Sequence, residues 1–94
     1  LSAEERERAL GIVTGLRRAH EAFEQGQRDP AVLQALAEAP VRERFDRVDY
    51  VAAVDPDSLQ AARAQGARLL IAVAAHLGTT RLIDNVVLGE EPRP

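Results

Sequence analysis

The residues of this 94-residue chain best placed to do chemistry are Arg81, Asp84 and Asn85. They lie in Gly78-Thr79-Thr80-Arg81-Leu82-Ile83-Asp84-Asn85-Val86-Val87-Leu88, which reads as a turn followed by a strand. Side chains alternate across a strand, so an adjacent carboxylate and amide must point to opposite faces. Whichever face meets the core then carries a polar group, unless a bulge intervenes. A buried carboxylate or amide is costly without partners. Two roles fit this pattern. In the structural one, Asp84 or Asn85 caps nearby backbone donors and Arg81 pairs with an acid. In the functional one, the three residues contact a ligand or another domain.

Other polar groups point to less. His20 and Glu24 are four apart at helical spacing and could hold a metal, but two ligands do not complete a site. The plain reading is a partly buried His20 beside a solvated Glu24. His76 falls at a strand end and reads as a surface residue. The runs Glu5-Arg6-Glu7-Arg8 and Arg42-Glu43-Arg44 interleave bases with acids and read as solvated, salt-bridged faces. There is no glycine-rich phosphate loop and no nucleophile with its base, so no catalytic residue and no metal site is assigned.

Several whole-chain properties narrow the possibilities. Net charge is −3 and every basic residue is Arg, so lysine chemistry is excluded in this stretch and a general nucleic-acid binder is disfavoured. With no Cys there are no disulfides and no zinc–thiolate sites. No apolar run approaches the length of a membrane span. The length suits one small domain. Phe23, Phe45 and Tyr50 are the only aromatics, so Ala, Val, Leu and Ile must build the core. The chain begins at Leu1 and contains no Met, and is expected to be a piece of a longer protein.

The elements that must position these residues follow in order. Ser2 and Glu5 have capping-box spacing, and Leu10, Val13, Leu16, His20 and Phe23 form a helical stripe, so a first helix is expected from about Ala3 to Gln25. Gly11 and Gly15 inside it predict close packing against a neighbour. Asp29-Pro30 opens a second helix with Val32, Leu33 and Leu36 on its apolar face; Pro40 is expected to end it, with one more turn, dense in charge, open as an alternative over Val41 to Phe45. Val48 to Val54 reads as a strand with Val48, Tyr50, Ala52 and Val54 on one face. Asp55-Pro56-Asp57-Ser58 stops it. Leu59 to Ala67 is ambiguous, with Gly66 closing it. Arg68 to Ala75 is apolar on both faces and predicts a central strand covered on both sides. A hairpin then leads into Arg81–Leu88. The fold class is α+β: two N-terminal helices packed on a small, mostly antiparallel three-stranded sheet over residues 1–89, with 90–94 as a loose tail.

In order along the chain, Leu1-Ser2-Ala3-Glu4-Glu5-Arg6, Asp49-Tyr50-Val51-Ala52-Ala53-Val54-Asp55 and Gly78-Thr79-Thr80-Arg81-Leu82-Ile83-Asp84-Asn85 resemble the C-terminal part of the pantothenate synthetase (pantoate–β-alanine ligase) family. The Arg-Leu-Ile-Asp-Asn run after a Gly-Thr turn is the most specific of the three. The segment from Gln60 to Gly66 departs from the family's Pro-containing loop. The resemblance implies a cytoplasmic, homodimeric, two-domain enzyme. Its N-terminal nucleotide-binding domain, with a His-x-Gly-His motif, would use ATP and magnesium to convert pantoate to an adenylate that β-alanine then attacks. This chain would be the small C-terminal lid. It has no counterpart of the His-x-Gly-His motif, the catalytic Lys or the hinge Ser-Arg-Asn motif, so the fragment alone is expected to be inactive and to hold no cofactor. The alternative is a stand-alone interaction or dimerisation module, whose sheet edges could pair with a partner.

Overall fold

Ser2 and Asp29 set where the two helices start. The computed structural model describes residues 1–60 and 68–89. The Ser2 hydroxyl accepts from the Glu5 N–H at 3.1 Å, and the Glu5 carboxylate accepts from the Ser2 N–H at 2.9 Å. This reciprocal box satisfies two donors that a helix start leaves orphaned. Helix α1 then runs over Ala3–Glu24, and Gly26 leaves it at a φ of 104°. The Asp29 carboxylate accepts from the Ala31 N–H at 3.0 Å, and Pro30 takes the first position of α2, Pro30–Arg44.

The helices cross at the two glycines. A Cβ on Gly15 would stand 2.1 Å from the carbonyl oxygen of Ala37, and one on Gly11 would stand 2.9 Å from that of Pro40. This close approach re-aims the buried stripe of α1. Ile12, Leu16, Ala19 and Phe23 are buried, as is His20, whereas Leu10, expected in the stripe, lies on the far side and is 53% exposed. On α2 the buried face is Leu33, Ala37, Pro40 and Val41 rather than one centred on Val32 and Leu36. Pro40 does not end the helix, which continues to Arg44. A proline inside a helix removes a backbone donor and strains the preceding turn. Here its ring is fully buried against α1, and that packing outweighs the local cost.

Three strands follow as an antiparallel meander: β1 Arg47–Val54, β2 Leu69–Leu77 and β3 Thr80–Leu88, in the order β1-β2-β3. The α+β arrangement is thus the one expected. Gly78 and Thr79 make a two-residue hairpin turn, with Gly78 at a φ of 57°. Glycine at the first central position suits the twist of such a hairpin. The helices cover one face of the sheet, where Leu69, Ile71, Val73, Ala75 and Leu77 of β2 are buried beneath them.

Two expectations for the sheet are corrected. The register of β1 slips between Val48 and Tyr50, which pair with Ala75 and Ala74. Asp49 is therefore an extra, bulged residue, and it reverses the alternation. Val48 turns toward the helices with Val51 and Ala53, while Tyr50, Ala52 and Val54 turn away. Strand β2 is central, as expected, but among the described residues the helices lie on only one of its faces. Its Leu70, Ala72, Ala74 and His76 face the other way. The expectations for 61–67 and for the tail at 90–94 fall outside the described residues.

Candidate functional site

Arg81, Asp84 and Asn85 do not converge. Strand alternation puts Arg81 and Asn85 on the helix-free face and Asp84 on the helix side. Pairing of β2 with β3 is continuous through Asp84↔Val73 and Asn85↔Ala72, so no bulge interrupts the strand. Both polar residues are nevertheless exposed. The Asp84 carboxylate accepts from the Asn85 N–H at 2.7 Å, so the backbone donor expected for Asp84 is present. The burial that would have made the bond costly to lose is not. Its position explains the exposure: β3 is an edge strand, and an inward-pointing charge there discourages pairing with another sheet edge. Asp84→Ala should therefore change stability by no more than about 0.5 kcal/mol. A loss above ~1 kcal/mol in urea melts would contradict this assignment.

Arg81 leads to a cluster that the sequence did not reveal. Arg47, His76 and Arg81 stand in one row across the three strands, since His76 is the register partner of both arginines. The bulge aims Asp49 into this row. Its Oδ2 accepts from Arg81 Nε at 2.9 Å and lies 2.8 Å from His76 Nε2, while Oδ1 is 3.3 Å from Arg47 Nε. His76 Nε2 is also 3.0 Å from an Arg47 guanidinium nitrogen. Arginine has no acceptor, so an Nε2–H of His76 can donate only to the Asp49 carboxylate and not to Arg47. The hydrogen bonds from Arg81 and His76 hold the Asp49 carboxyl below the usual range. One acid between two guanidinium groups is a cross-strand clasp that leaves positive charge at this end of the face.

A second latch lies at the same end of the molecule. The Asp46 carboxylate accepts from the Gly78 N–H at 2.7 Å and from Arg8 at 2.6 Å, and Arg8 Nε also donates to the Arg44 carbonyl at 2.6 Å. These contacts join α1, the α2–β1 junction and the β2–β3 turn. They lower the Asp46 pKa, the Gly78 N–H contributing most. Asp55 is lowered by the N–H groups of Ser58 and Asp57, and Glu5 by that of Ser2.

These four carboxyls fix the acid response. Each has a folded pKa below its unfolded value, so the unfolded chain binds more protons between the two. The stability they contribute is fully present above their unfolded values of about 4 and is lost as pH falls through the lowered folded ones. Denaturant midpoints should accordingly decline below about pH 4, and Asp46→Asn should flatten part of that decline. Parallel profiles for the two proteins would contradict the role given to Asp46.

His20 is buried, with Nε2 3.6 Å from the Glu24 carboxylate and Nδ1 without a partner, while Glu24 is largely solvated. This is the plain arrangement read from the sequence. Among the described residues no three His, Cys, Asp or Glu side chains group as metal ligands, and no helix is long and apolar enough to cross a membrane.

Comparison with known proteins extends the picture. Residues 1–87 match the family described as pantoate-beta-alanine ligase. The chain is 41% identical over 95 residues to the pantothenate synthetase of Magnetococcus marinus, covering 100% of this chain and 32% of that protein. It is 46% identical over 93 residues to pantothenate synthetase 1 of Bradyrhizobium diazoefficiens, covering 98% of this chain and 32% of that one. The crystal structure of pantothenate synthetase from Thermus thermophilus superposes with a TM-score of 0.78 at 31% identity, over 92% of this chain and 31% of that one. The chain thus spans about a third of the length of the curated relatives it matches.

Proposed function

This chain belongs to the pantoate–β-alanine ligase family, and on that premise we propose that it is the C-terminal lid domain of a pantothenate synthetase. The observation that carries the reading is the family match over residues 1–87, in a chain about a third as long as its relatives. The parent enzyme would join pantoate to β-alanine with ATP, through a pantoyl adenylate, releasing AMP and pyrophosphate. ATP and magnesium would bind in the nucleotide-binding domain that forms this chain's partner, and the parent would work as a cytoplasmic homodimer.

The contribution of such a lid is physical. An acyl adenylate is prone to hydrolysis, and a domain closing over it excludes water and strengthens the electrostatics around the reacting atoms. The hydrogen-bonded clasps on Asp46 and Asp49 support a lid that moves as one rigid piece. Arg81 and Asn85, on the helix-free face, are the candidates for contact with substrate or the other domain; Asp84 is a candidate only for contact at the β3 edge.

The full-length protein should form AMP when given pantoate, β-alanine and ATP, and AMP should not form when any one of the three is withheld. The 94-residue chain alone should form none. No activity in the full-length protein, or AMP formation by the isolated chain, would overturn the reading.

A further inference from the structure

Arg81 is held by one edge only. Its Nε–H donates to Asp49 Oδ2 at 2.9 Å, and among the described residues this is its one hydrogen bond. The acid that holds it is itself fixed, since Oδ2 also meets His76 Nε2 at 2.8 Å and Oδ1 lies 3.3 Å from Arg47 Nε. A guanidinium is planar, so anchoring Nε sets the plane and leaves the terminal fork of donors ready for a second partner. The Arg81 side chain is 45% exposed and that of Arg47 69%, so both groups are open to solvent. Other arginines are more fully used. Arg68, at the other end of the same face, sets a terminal nitrogen 2.9 and 2.8 Å from the two Asp57 oxygens. Arg8 spends Nε on the Arg44 carbonyl and a terminal nitrogen on Asp46. Asp46 is in turn taken up by Arg8 and the Gly78 N–H, and Asn85, beside Ala72 on the face, is neutral. Two cations thus share the single acid Asp49.

We propose that the open fork of Arg81, together with the Arg47 guanidinium across the Asp49 clasp, is a binding site for an oxyanion, either a phosphoryl group or a carboxylate. Parallel N–H groups on one rigid plane match the paired oxygens of both, and such charge-assisted pairs are the stronger kind of hydrogen bond. Asp49 does not defeat the attraction, because its two oxygens already face Arg81, His76 and Arg47 and one positive charge is left over. It lowers the cost of binding instead, by ordering the guanidinium before the ligand arrives. The site stands on this geometry, and only the identity of its ligand rests on the ligase reading above. That reading supplies two sources of oxyanion: the polyphosphate of ATP, released as pyrophosphate, and the carboxylate of pantoate.

Calorimetry on the full-length protein at constant ionic strength tests the assignment, with inorganic pyrophosphate, pantoate and uncharged adenosine as the probes. Arg81→Gln should weaken binding of at least one of the two anions by about tenfold or more, as expected for the loss of hydrogen bonds to a charged group. Adenosine binding should not change. A loss for pyrophosphate identifies a phosphoryl ligand, and a loss for pantoate a carboxylate. Arg81→Lys keeps the charge but not the fork and should recover only part of the affinity. Arg68→Gln should bind as the unsubstituted protein does. Should Arg81→Gln fail to fold, Arg47→Gln, at the more exposed of the two side chains, carries the same comparison. Unchanged affinity for both anions would overturn the proposal, as would no binding of either anion by the unsubstituted protein. So would an equal loss for adenosine, full recovery by Arg81→Lys, or the same loss in Arg68→Gln. AMP formation by the same preparations separates the two readings. Anion binding that depends on Arg81 in a protein that makes no AMP removes the ligase reading and leaves the site. AMP formation with anion binding untouched by Arg81→Gln does the reverse.

Discussion

Phe45→Ala should destabilise the domain by about 3–5 kcal/mol. Phe45 is 6% exposed at the point where α2 gives way to β1, and its N–H donates to the Val41 carbonyl at 2.8 Å as the helix closes. It is one of only two phenylalanines, so the core around it consists of smaller aliphatic side chains. Such a core has no large neighbour to swing into the space left behind, and the cavity term adds to the lost transfer energy. Against a total stability of roughly 5–15 kcal/mol for a domain, the change removes a large part of what holds the fold. Urea melts give the difference directly. Phe45→Leu, which keeps most of the apolar volume, should cost no more than about 1.5 kcal/mol. A loss below ~1 kcal/mol for the alanine variant would show that the ring is not part of the core.

Gly15→Ala should cost about 2–3 kcal/mol even though alanine is the better helix former. Propensity alone favours the change by roughly 1 kcal/mol. The new methyl, however, would lie 2.1 Å from the Ala37 carbonyl oxygen and 2.9 Å from its carbon. Both are backbone atoms, so no rotamer relieves the overlap, and the helices must move apart over the core they share. Overpacking of this kind costs about 1–3 kcal/mol and occasionally more. Trimming the Ala37 side chain should not rescue the variant, because that side chain is not what the methyl meets. Gly11→Ala should be milder, since the flexible Arg44 side chain is among its nearest neighbours. A Gly15→Ala protein as stable as its parent in urea would mean that the helices do not cross this closely.

Much of the fold was legible because local chemistry and tertiary structure agree. Ser2, Glu5, Asp29 and Pro30 start the helices where capping rules place them, and Gly11 and Gly15 mark the crossing. Where the reading failed, a tertiary contact overrode a local preference. Pro40 ends a helix by local rules, but its packing against α1 keeps α2 going to Arg44. The Asp49 bulge could not be read from β1 alone, because nothing in Val48-Asp49-Tyr50 breaks the alternation until the partner strand fixes the register. That slip reversed the assignment of Tyr50 and hid the site. One signal was available. A two-residue turn at Gly78-Thr79 pairs Leu77 with Thr80, and therefore His76 with Arg81. Counting outward from the turn would have brought the histidine and the arginine side by side and raised the question of which acid joins them. For Asp84 the sequence showed that a polar group must point toward the helix side. That an edge strand leaves it in solvent depends on where the helices end, and no residue count gives that.

The latch of Arg8, Asp46 and Gly78 has a consequence for the order of assembly. The fold consists of two sequence-local halves, a helical hairpin over 3–44 and a β-meander over 47–88. Helical turns and tight hairpins form in microseconds or less, because little chain must be closed to make them. The Asp46 contacts instead span 38 residues to Arg8 and 32 to Gly78. Closing such spans costs more entropy and is repaid only once both halves exist. Asp46 is therefore a late fastener, whose grip governs how quickly the halves come apart rather than how quickly each takes shape.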